Sequence, residues 1–502
     1  MSKAYFVILH QKTSIMKIGF DNEKYQKIQS EHIKERISQF DGKLYLELGG
    51  KLFDDHHASR VLPGFMPDSK LRMFQKLSDS IEIVIVISAT DIEKNKKRAD
   101  LGITYDEDVL RLRGEFQNRG FMVGSVVITH YNGQPAAIAF RQRLEREGIK
   151  TYYHYLIEGY PHNVSLIASD EGFGQNDYVE TERPLVIVTA PGPGSGKMAV
   201  CLSQLYNENK RGVRAGYAKF ETFPVWNLPL KHPVNIAYEA ATADLNDVNM
   251  IDPFHLEAYN KIAINYNRDI EIFPVLNALF EGIYGSNPYK SPTDMGVNMV
   301  GFCISDDEAC CEASKNEIVR RYYAATNKMA CGACNEHEIA KIQLLFNQAK
   351  ITTDFRRTTV AAKNFKKETG HTSAAIELED GTIITAKSSE LLGCSAALLL
   401  NVMKHLAGID HDLKLIPQSM IEPIQHTKIS YLGGRNPRLH TDEVLVALSV
   451  LSVHDDNCHR ALEQLPKLRG CQAHCTVMLS DVDQKIFKKL GVNLTCEPVL
   501  KK

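Results

Sequence analysis

The sequence predicts an α/β fold, in which a doubly wound, mostly parallel sheet with a P-loop-like glycine turn precedes a helical segment and a second α/β domain. Apolar runs alternate with helical patterns over the first part of the chain, which is typical of parallel strands joined by helices. The runs are continuously apolar, as in strands covered on both faces. A glycine-rich stretch at residues 189–197 follows one of these runs, where phosphate-binding loops occur.

The predicted elements follow this alternation. Strands are expected at residues 43–48, 81–88, 121–129, 152–157 and 185–189, and helices at 25–39, 70–77, 108–120 and 135–148. Ligands bind beyond the carboxyl ends of parallel strands, so polar residues just after strands are expected to meet at one edge. These residues are Gly49, Gly50, Lys51, Asp54, Asp55, His56, Arg60, Asp91, His130 and Gln134. Each alone is more often a helix cap or a solvated surface residue than a ligand-binding residue, so the prediction depends on their convergence.

The glycine-rich stretch predicts a phosphate site. Glycines allow backbone amides to approach an anion closely, and a helix at 198–206 directs its positive end toward the same place. Pro191 replaces the first glycine of the Walker A pattern, and Met198 and Ala199 replace the hydroxyl residue that holds Mg²⁺. The expected ligand-binding residues are Gly192, Gly194, Ser195, Gly196 and Lys197. A purely structural glycine turn is the alternative.

Residues 216–300 place many polar side chains among aromatic residues and prolines. Buried polar groups are costly, and functional sites tolerate that cost. The segment therefore predicts a substrate pocket walled by Trp226 and Phe220, with an interdomain seam as the alternative. Lys219, Arg268 and Asp294 are expected to orient the substrate, and Asp252 or Asp91 to hold a metal ion.

The last part of the chain predicts a different arrangement. Helices at 307–326, 336–349 and 354–369 precede a hairpin of 374–378 and 382–386, whose Asp380-Gly381 turn is a strong hairpin signal. Helices at 388–407, 441–453 and 482–490 and strands at 474–479 and 493–496 follow. This order is similar to the topology of cytidine deaminases. The deaminase zinc signature, with its Pro-Cys-x-x-Cys turn, is absent from the sequence.

Three further groups of residues invite a functional reading. Cys331-x-x-Cys334 with His337, and Cys471-x-x-His474-Cys475, have metal-ligand spacing, but neither supplies the four local ligands of structural zinc. We therefore expect ordinary thiols and no zinc. Arg435, Arg438 and His440 precede a predicted helix, where anions are attracted, so this loop could act as an arginine finger or as an interdomain salt-bridge cluster.

Composition excludes some classes of function. The 59 Lys and Arg residues against 61 Asp and Glu give a formal net charge of −2, without the basic excess typical of nucleic-acid binding. No apolar run reaches the eighteen or so residues of a membrane span. Many of the eleven cysteines lie in apolar or helical contexts, which favours reduced thiols. The expected location is therefore the cytoplasm, without nucleic-acid or membrane partners.

The chain also resembles the bacterial family of proteins with domain of unknown function 1846. The resemblance runs from about residue 20 to 498 and depends on the strings at 39–47, 189–197, 216–229, 291–301 and 435–440. It implies an α/β fold and a homo-oligomer. The expected domains are a disordered extension at 1–15, a Rossmann-like phosphate-binding domain at 16–305, a helical segment at 306–372 and a deaminase-like domain at 373–502.

The sequence thus favours a nucleotide-binding, kinase-like phosphotransferase that uses ATP or another nucleotide and Mg²⁺. Lys197 would stabilise the transferred phosphoryl group, and the partner would be a small phosphorylated ligand. A non-catalytic sensor or scaffold for a nucleotide or sugar phosphate is the alternative, and a metal-dependent hydrolase is a third.

Overall fold

The computed structural model describes residues 18–49, 52–53, 55–98, 101–220, 224–333 and 336–499. The predicted extension 1–15 and Gly50, Lys51, Asp54 and Cys334 lie outside the described residues. The chain divides into two compact units. The N-terminal unit comprises Phe20–Glu239 and Asp247–Ser305, and the C-terminal unit comprises chiefly Ala240–Asn246 and Asp306–Lys502. The helical segment at 306–372 thus shares a unit with the residues that follow it.

The N-terminal unit contains a seven-stranded, entirely parallel sheet, which confirms the predicted α/β class. Its strand order is β4-β3-β2-β5-β1-β6-β9, and β7 and β8 form a separate antiparallel pair. The strands are β1 (Leu44–Leu48), β2 (Ile81–Ser88), β3 (Met122–Tyr131), β4 (Lys150–Tyr155), β5 (Leu185–Thr189), β6 (Gly216–Phe220), β7 (Asn249–Ile251), β8 (Ile264–Tyr266) and β9 (Gly296–Val297).

Helices cover both faces of this sheet. They are α1 (Asn22–Ser38), α2 (His56–Val61), α3 (Ser69–Gln75), α4 (Ala89–Glu93), α5 (Tyr105–Asn118), α6 (Pro135–Arg146), α7 (Val164–Ile167), α8 (Lys197–Lys210), α9 (Pro233–Ala241), α10 (Pro253–Tyr259) and α11 (Asn267–Tyr284). Successive residues of a strand point to opposite faces. In β2, Ile83, Ile85 and Ile87 therefore pack with α3, α5 and α6, whereas Val84 and Val86 pack with α8 and α11.

This two-sided packing defines a switch point in the sheet. Strand β1 leads to α3, on the face of the sheet that α5 and α6 also cover. Its neighbour β5 leads directly to α8, on the opposite face, which α11 also covers. The two connections leave the sheet in opposite directions, so a crevice opens at the carboxyl ends of β1 and β5. Ligands of doubly wound sheets bind at such crevices.

The C-terminal unit contains a four-stranded sheet of order β11-β10-β12-β13. Its strands are β10 (Ser373–Glu377), β11 (Ile383–Lys387), β12 (Gln472–Cys475) and β13 (Asn493–Cys496). Its helices are α12 (Asp307–Ala330), α13 (Glu336–Ala349), α14 (Arg357–Thr369), α15 (Cys394–Leu406), α16 (Gln418–His426), α17 (Thr441–Leu451), α18 (Asp456–Leu462) and α19 (Asp481–Lys489). Among the described residues, every helix falls short of the length or apolar content needed to cross a membrane.

The predicted hairpin is present, and two predicted boundaries are corrected. Strands β10 and β11 pair antiparallel, and Gly381 takes the left-handed conformation at the turn, with φ 81°. The helix expected from residue 388 begins only at Cys394, because Gly393 serves as its N-cap in extended conformation. The strand expected at 474–479 is Gln472–Cys475, which pairs in parallel with β13.

Candidate functional site

The candidate site is built around residues 192–197, here called the anion loop, between β5 and α8. Ser195 Oγ donates to the Gly192 carbonyl oxygen at 2.6 Å, which closes the loop on itself. Thr129 Oγ1, at the end of β3, donates to the Ser195 carbonyl oxygen at 2.6 Å. Gly194 and Gly196 have φ values of 73° and 84°, in the left-handed region that favours glycine. The loop is therefore held in one shape at the switch point.

Gly192 is also required by packing, and Gly196 is closely packed. A Cβ atom at Gly192 would lie 2.3 Å from the Tyr105 hydroxyl oxygen, and one at Gly196 would lie 3.1 Å from Thr129 Oγ1. A Cβ at Gly194 meets nothing within 4 Å. These contacts agree with a structural turn, so the case for a ligand depends on the polar groups of the loop.

Those polar groups are available to a ligand. Within the described residues, the backbone N–H groups of Gly192, Gly194, Ser195 and Gly196 donate to no acceptor. The half-buried Lys197 is the first residue of α8, and its ammonium forms no ion pair with a described carboxylate. A cation at a helix N-terminus is unfavourable on its own. An anion in the loop would offset this cost and accept hydrogen bonds from these N–H groups.

A charged cluster lies on the β1 and β6 side of the crevice. Glu47 of β1 is the register partner of Lys219 of β6, and Tyr217 donates its hydroxyl to Glu47 Oε2 at 2.7 Å. Lys219 Nζ contacts Asp269 Oδ1 at 2.5 Å. Burial alone would lower the pKa of Lys219, but Asp269 and Glu47 outweigh it and raise that pKa. Lys219 is therefore a buried cation in a carboxylate network.

Cys201 connects this cluster to the anion loop. It lies in α8, one turn after Lys197, and is fully buried. Burial and the Glu47 carboxylate raise the pKa of the Cys201 thiol, while the Lys197 ammonium acts in the opposite direction. Lys197 and Glu47 therefore influence the same small region. The sequence prediction missed Glu47, although its pairing with Lys219 marks it once the strand order is known.

A second group lies on the β2 and β3 side of the loop. Asp91 Oδ1 pairs with Lys96 Nζ at 3.1 Å, and His130 Nδ1 lies 3.1 Å from Thr129 Oγ1. Gln134 Nε2 donates to the His130 carbonyl oxygen at 3.0 Å. Gln134 and His130 are therefore in contact at this edge, and the Asp91 carboxylate acts electrostatically on the His130 imidazole. Asp55 instead caps α2 and pairs with Lys70 at 2.8 Å.

The other predicted residues of the segment 216–300 have partners of their own. Arg268 Nη2 donates to Asp247 Oδ2 at 2.9 Å, and Asp294 Oδ2 accepts from the Tyr259 hydroxyl at 2.8 Å. Asp252 is fully buried and caps α10. Both of its oxygens already accept hydrogen bonds from protein groups. These contacts are those of structural residues.

The predicted pocket wall of Trp226 and Phe220 requires a correction. Phe220 is only 1% exposed and packs in the core, with its ring centroid 5.0 Å from that of Phe74. The physical reason is strand alternation: Phe220 points to the face opposite Lys219. Trp226 is half-buried, and its Nε1 donates to the Asn298 carbonyl oxygen at 2.9 Å. Phe220 therefore does not line a pocket.

The cysteine and histidine spacing of the C-terminal unit does not converge on one point. His474 Nδ1 lies 2.9 Å from Thr495 Oγ1, whereas Cys475 is the next residue on β12 and points to the other face. Cys475 contacts the thiols of Cys394 and Cys496. Burial raises the pKa of Cys471 to about 11. Cys471, His474 and Cys475 thus serve different parts of the core.

We predict that the purified protein contains no stoichiometric zinc. Structural zinc takes four converging protein ligands, and the Cys471-x-x-His474-Cys475 spacing does not supply them. Elemental analysis of protein prepared without chelator checks this. One zinc per chain that is lost in Cys331→Ser or Cys471→Ser, but retained in the buried control Cys458→Ser, would contradict the prediction.

The loop before α17 is anchored through His440. Its Nδ1 lies 2.8 Å from Asp483 Oδ2, and its backbone N–H donates to Glu443 Oε2 at 2.7 Å, which completes a capping box. Arg438 Nε donates to the Ser389 carbonyl oxygen at 2.6 Å, and Arg435 is exposed. His440 is therefore a structural cap, whereas Arg435 extends toward solvent in this unit.

We predict that Asp483 makes stability depend on acid pH. Burial alone raises the pKa of Asp483, but hydrogen bonds with His440, the Thr441 backbone and Ser480 outweigh it and lower that pKa to about 2. Because the folded-state pKa is below the unfolded value of about 3.9, the stabilisation is present above about pH 4 and is lost as the pH falls toward 2. It amounts to roughly 2 kcal/mol.

The measurement is the urea midpoint of the parent protein and Asp483→Asn between pH 7 and pH 2. The difference in urea midpoint between the parent and Asp483→Asn is expected to narrow below pH 4. The exposed control Asp481→Asn is expected to have nearly the urea midpoint of the parent at every pH. A difference for Asp483→Asn that stays constant down to pH 2 would refute this assignment.

Family models and individual relatives both place this chain in one protein family. The family model described as domain of unknown function DUF1846, N-terminal, matches residues 18–350, and the corresponding C-terminal model matches residues 354–502. The chain is 57% identical to UPF0371 protein cu0538 of Corynebacterium urealyticum over 96% of this chain and 97% of that protein. It is 56% identical to a UPF0371 protein of Streptococcus thermophilus over 96% of this chain and 98% of that protein.

A solved structure gives a much weaker likeness. The ADP form of the ORC2 protein of Aeropyrum pernix is 9% identical, over 88% of this chain and 87% of that one, with a TM-score of 0.17. A likeness at this level supports no inference about fold or function.

Proposed function

The chain belongs to the DUF1846 family, and from the site geometry we propose that it binds a nucleotide or another phosphate ester at the anion loop and acts as a kinase-like phosphotransferase. One observation carries the proposal. Four backbone N–H groups and the Lys197 ammonium, all without partners among the described residues, lie at the N-terminus of α8, at the switch point of the sheet. This combination suits a phosphate and is costly without an anion.

The cluster on the β1 side supplies groups for the rest of the reaction. Lys197 would stabilise charge on the transferred phosphoryl group. Lys219, held by Asp269 and Glu47, would present a fixed positive charge to the acceptor. Arg268 and Asp294, which have other partners here, would have to exchange them to reach a substrate.

Magnesium requires an oxygen ligand, because Met198 and Ala199 lack the usual hydroxyl. Glu47 fits better than the predicted Asp252 or Asp91. Its Oε1 has no hydrogen bond within the described part of the chain, whereas both oxygens of Asp252 are occupied and Asp91 pairs with Lys96. A magnesium ion there would neutralise phosphate charge.

A sensor that binds the same ligand without turnover is the second candidate. The missing hydroxyl at Met198 and Ala199 favours it. For the C-terminal unit, the strand order β11-β10-β12-β13 supports a deaminase-like topology without its zinc chemistry. Exposed valines on or just after α17, Val446, Val450 and Val453, support a role in homo-oligomerisation, which sedimentation equilibrium would test.

Ligand screening tests the proposed function directly. The full-length protein would be heated with ATP, GTP, ADP and sugar phosphates, each with and without Mg²⁺. A ligand at one hundred times its dissociation constant stabilises by about 2.7 kcal/mol, which raises the melting temperature by a few degrees. Calorimetry and a phosphate-release assay then separate phosphotransferase from sensor. If no phosphate ester raises the melting temperature, the proposal is wrong.

We predict that Arg435→Ala and Arg438→Ala leave folding almost intact but weaken ligand binding or turnover. Folding is expected to survive because Arg435 is exposed and, within the described residues, the Arg438 guanidinium makes one hydrogen bond, to a backbone oxygen. Weaker binding or turnover is the effect expected from the loss of an arginine finger. A buried ion-pair arginine would instead cost about 3 to 5 kcal/mol on removal. Melting temperature and calorimetric affinity are compared side by side.

The matched control is Arg460→Ala, whose guanidinium also donates to one backbone oxygen, that of Ala407, at an exposed position. It is expected to change neither quantity. Variants of Arg435 and Arg438 that are destabilised yet bind ligand normally would rule out the arginine-finger role.

A further inference from the structure

His130 has an unusual backbone at the rim of the anion loop. His130 is the penultimate residue of β3 and has a φ of 51°. The register between β3 and β4 shifts at the same place, between Ile128 and Tyr131. A histidine in the left-handed region is strained, and such strain persists where the surrounding structure holds a side chain for function. The backbone here directs the half-buried imidazole beside Thr129, the residue that contacts the loop.

The hydrogen bonds fix the tautomer of His130. The Thr129 hydroxyl has one hydrogen, and Oγ1 uses it to donate to the Ser195 carbonyl oxygen at 2.6 Å. Toward His130 Nδ1, 3.1 Å away, Oγ1 can therefore only accept. Nδ1 then carries the imidazole proton and Nε2 carries the lone pair. Within the described residues, Nε2 makes no hydrogen bond.

The surroundings favour a neutral ring. Burial lowers the pKa of His130, and the Asp91 carboxylate only partly opposes this. Asp91 is itself paired with Lys96, whose ammonium lies 5.0 Å from the Tyr105 ring centroid. His130 therefore presents a neutral nitrogen nucleophile, and the opposite nitrogen is tied to the anion loop through Thr129.

We propose that His130 Nε2 accepts the terminal phosphoryl group of a nucleoside triphosphate bound at the anion loop, a step that rests on the proposed function. The Nε2 lone pair forms the P–N bond as the bond from the terminal phosphorus to the bridging oxygen breaks, and the nucleoside diphosphate leaves with that electron pair. The proton stays on Nδ1, hydrogen-bonded to Thr129. The oxygen of an acceptor hydroxyl or water later attacks the phosphorus. The P–N bond breaks with its electron pair returning to Nε2, which restores the neutral imidazole, and the proton of the hydroxyl passes to solvent.

The arrangement suits both halves of this exchange. Lys197 and the free N–H groups offset the negative charge of the donor phosphates. Thr129 Oγ1 accepts a hydrogen bond from Nδ1–H of the positively charged phosphoimidazole, as the oxygen partner of a catalytic histidine does. Because Thr129 also donates to the Ser195 carbonyl oxygen, the nucleophile is held in a fixed position relative to the anion loop.

The test is labelling of the full-length protein with γ-³²P-ATP or γ-³²P-GTP in the presence of Mg²⁺. The parent protein is expected to acquire label that resists base, is lost in acid and maps to the peptide containing His130. The key variant is His130→Asn. Its amide can still donate to Thr129 and tolerates a positive φ, but it lacks Nε2. The control is His32→Asn, a half-buried histidine on α1 that contacts Glu35.

His130→Asn should bind nucleotide within about threefold of the parent and lose at least nine-tenths of the label, whereas His32→Asn should retain both. Base-stable label that remains in His130→Asn would overturn the proposal. So would nucleotide binding by the parent without any such label, which leaves the proposed function intact as direct transfer or sensing. If the parent binds neither nucleotide, the phosphoryl donor is absent and this proposal fails, whereas the proposed function fails only if the wider set of phosphate esters also leaves the melting temperature unchanged.

Discussion

Lys197→Ala is expected to weaken binding of the phosphate ligand by roughly 1.5 to 3 kcal/mol, or about 10- to 150-fold. The reason is the loss of a charge-assisted contact in a half-buried site where the ammonium has no described carboxylate partner. The same substitution should stabilise the unliganded protein slightly, by about 0.3 to 1 kcal/mol, because a cation at a helix N-terminus is unfavourable. Calorimetry and thermal melting measure the two effects.

The opposite signs distinguish a ligand-binding lysine from a structural one. Lys210→Ala is the matched control, because Lys210 lies at the other end of α8 and pairs with the exposed Asp170. It should leave affinity unchanged and stability the same or slightly lower. Unchanged affinity in Lys197→Ala would place the ligand elsewhere, and a large loss of stability would identify a structural role.

Asp252→Ala is expected to destabilise the protein by roughly 2 to 4 kcal/mol. Asp252 Oδ1 accepts from the backbone N–H groups of Phe254 and His255 at 3.0 and 3.1 Å, and Oδ2 accepts from Thr293 Oγ1 at 2.6 Å. The substitution removes the cap of α10 and leaves a Thr293 hydroxyl without its acceptor. Urea denaturation measures the loss.

Two controls give this result its meaning. Asp21→Ala removes an exposed N-cap, from α1, and should cost no more than about 1 kcal/mol. Asp252→Asn keeps an oxygen for the cap, so it should fold and bind ligand with unchanged Mg²⁺ dependence. If Asp252→Asn folds normally but loses the Mg²⁺ dependence, Asp252 is the metal ligand that the sequence suggested.

Local patterns made the parallel sheet and the glycine loop predictable. The apolar runs that became β2 and β5 are continuous because helices cover both faces of the sheet. The anion loop could be located because its features, the glycines and Lys197, occupy a few consecutive positions. The Asp380-Gly381 turn was readable for the same reason, since a tight turn depends on its own residues.

The partners of the charged residues were not predictable in this way. Glu47 and Lys219 lie far apart in sequence and become neighbours only because β1 pairs with β6. The sequence predicted Asp252 as a possible metal ligand, but its two oxygens accept hydrogen bonds from helix α10 and from Thr293. Phe220 was expected in a pocket, but the alternation of β6 buries it against Phe74.

The sequence by itself determined the fold class, the position of the glycine loop after an apolar strand and the family resemblance, because each depends on short runs of adjacent residues. Only the tertiary structure decided which carboxylates remain available, that Glu47 lies beside the crevice, and that Thr129 contacts both His130 and the anion loop. The physical reason is that hydrogen-bonding capacity is finite: whether a polar side chain can serve a ligand depends on which distant residues already occupy its donors and acceptors.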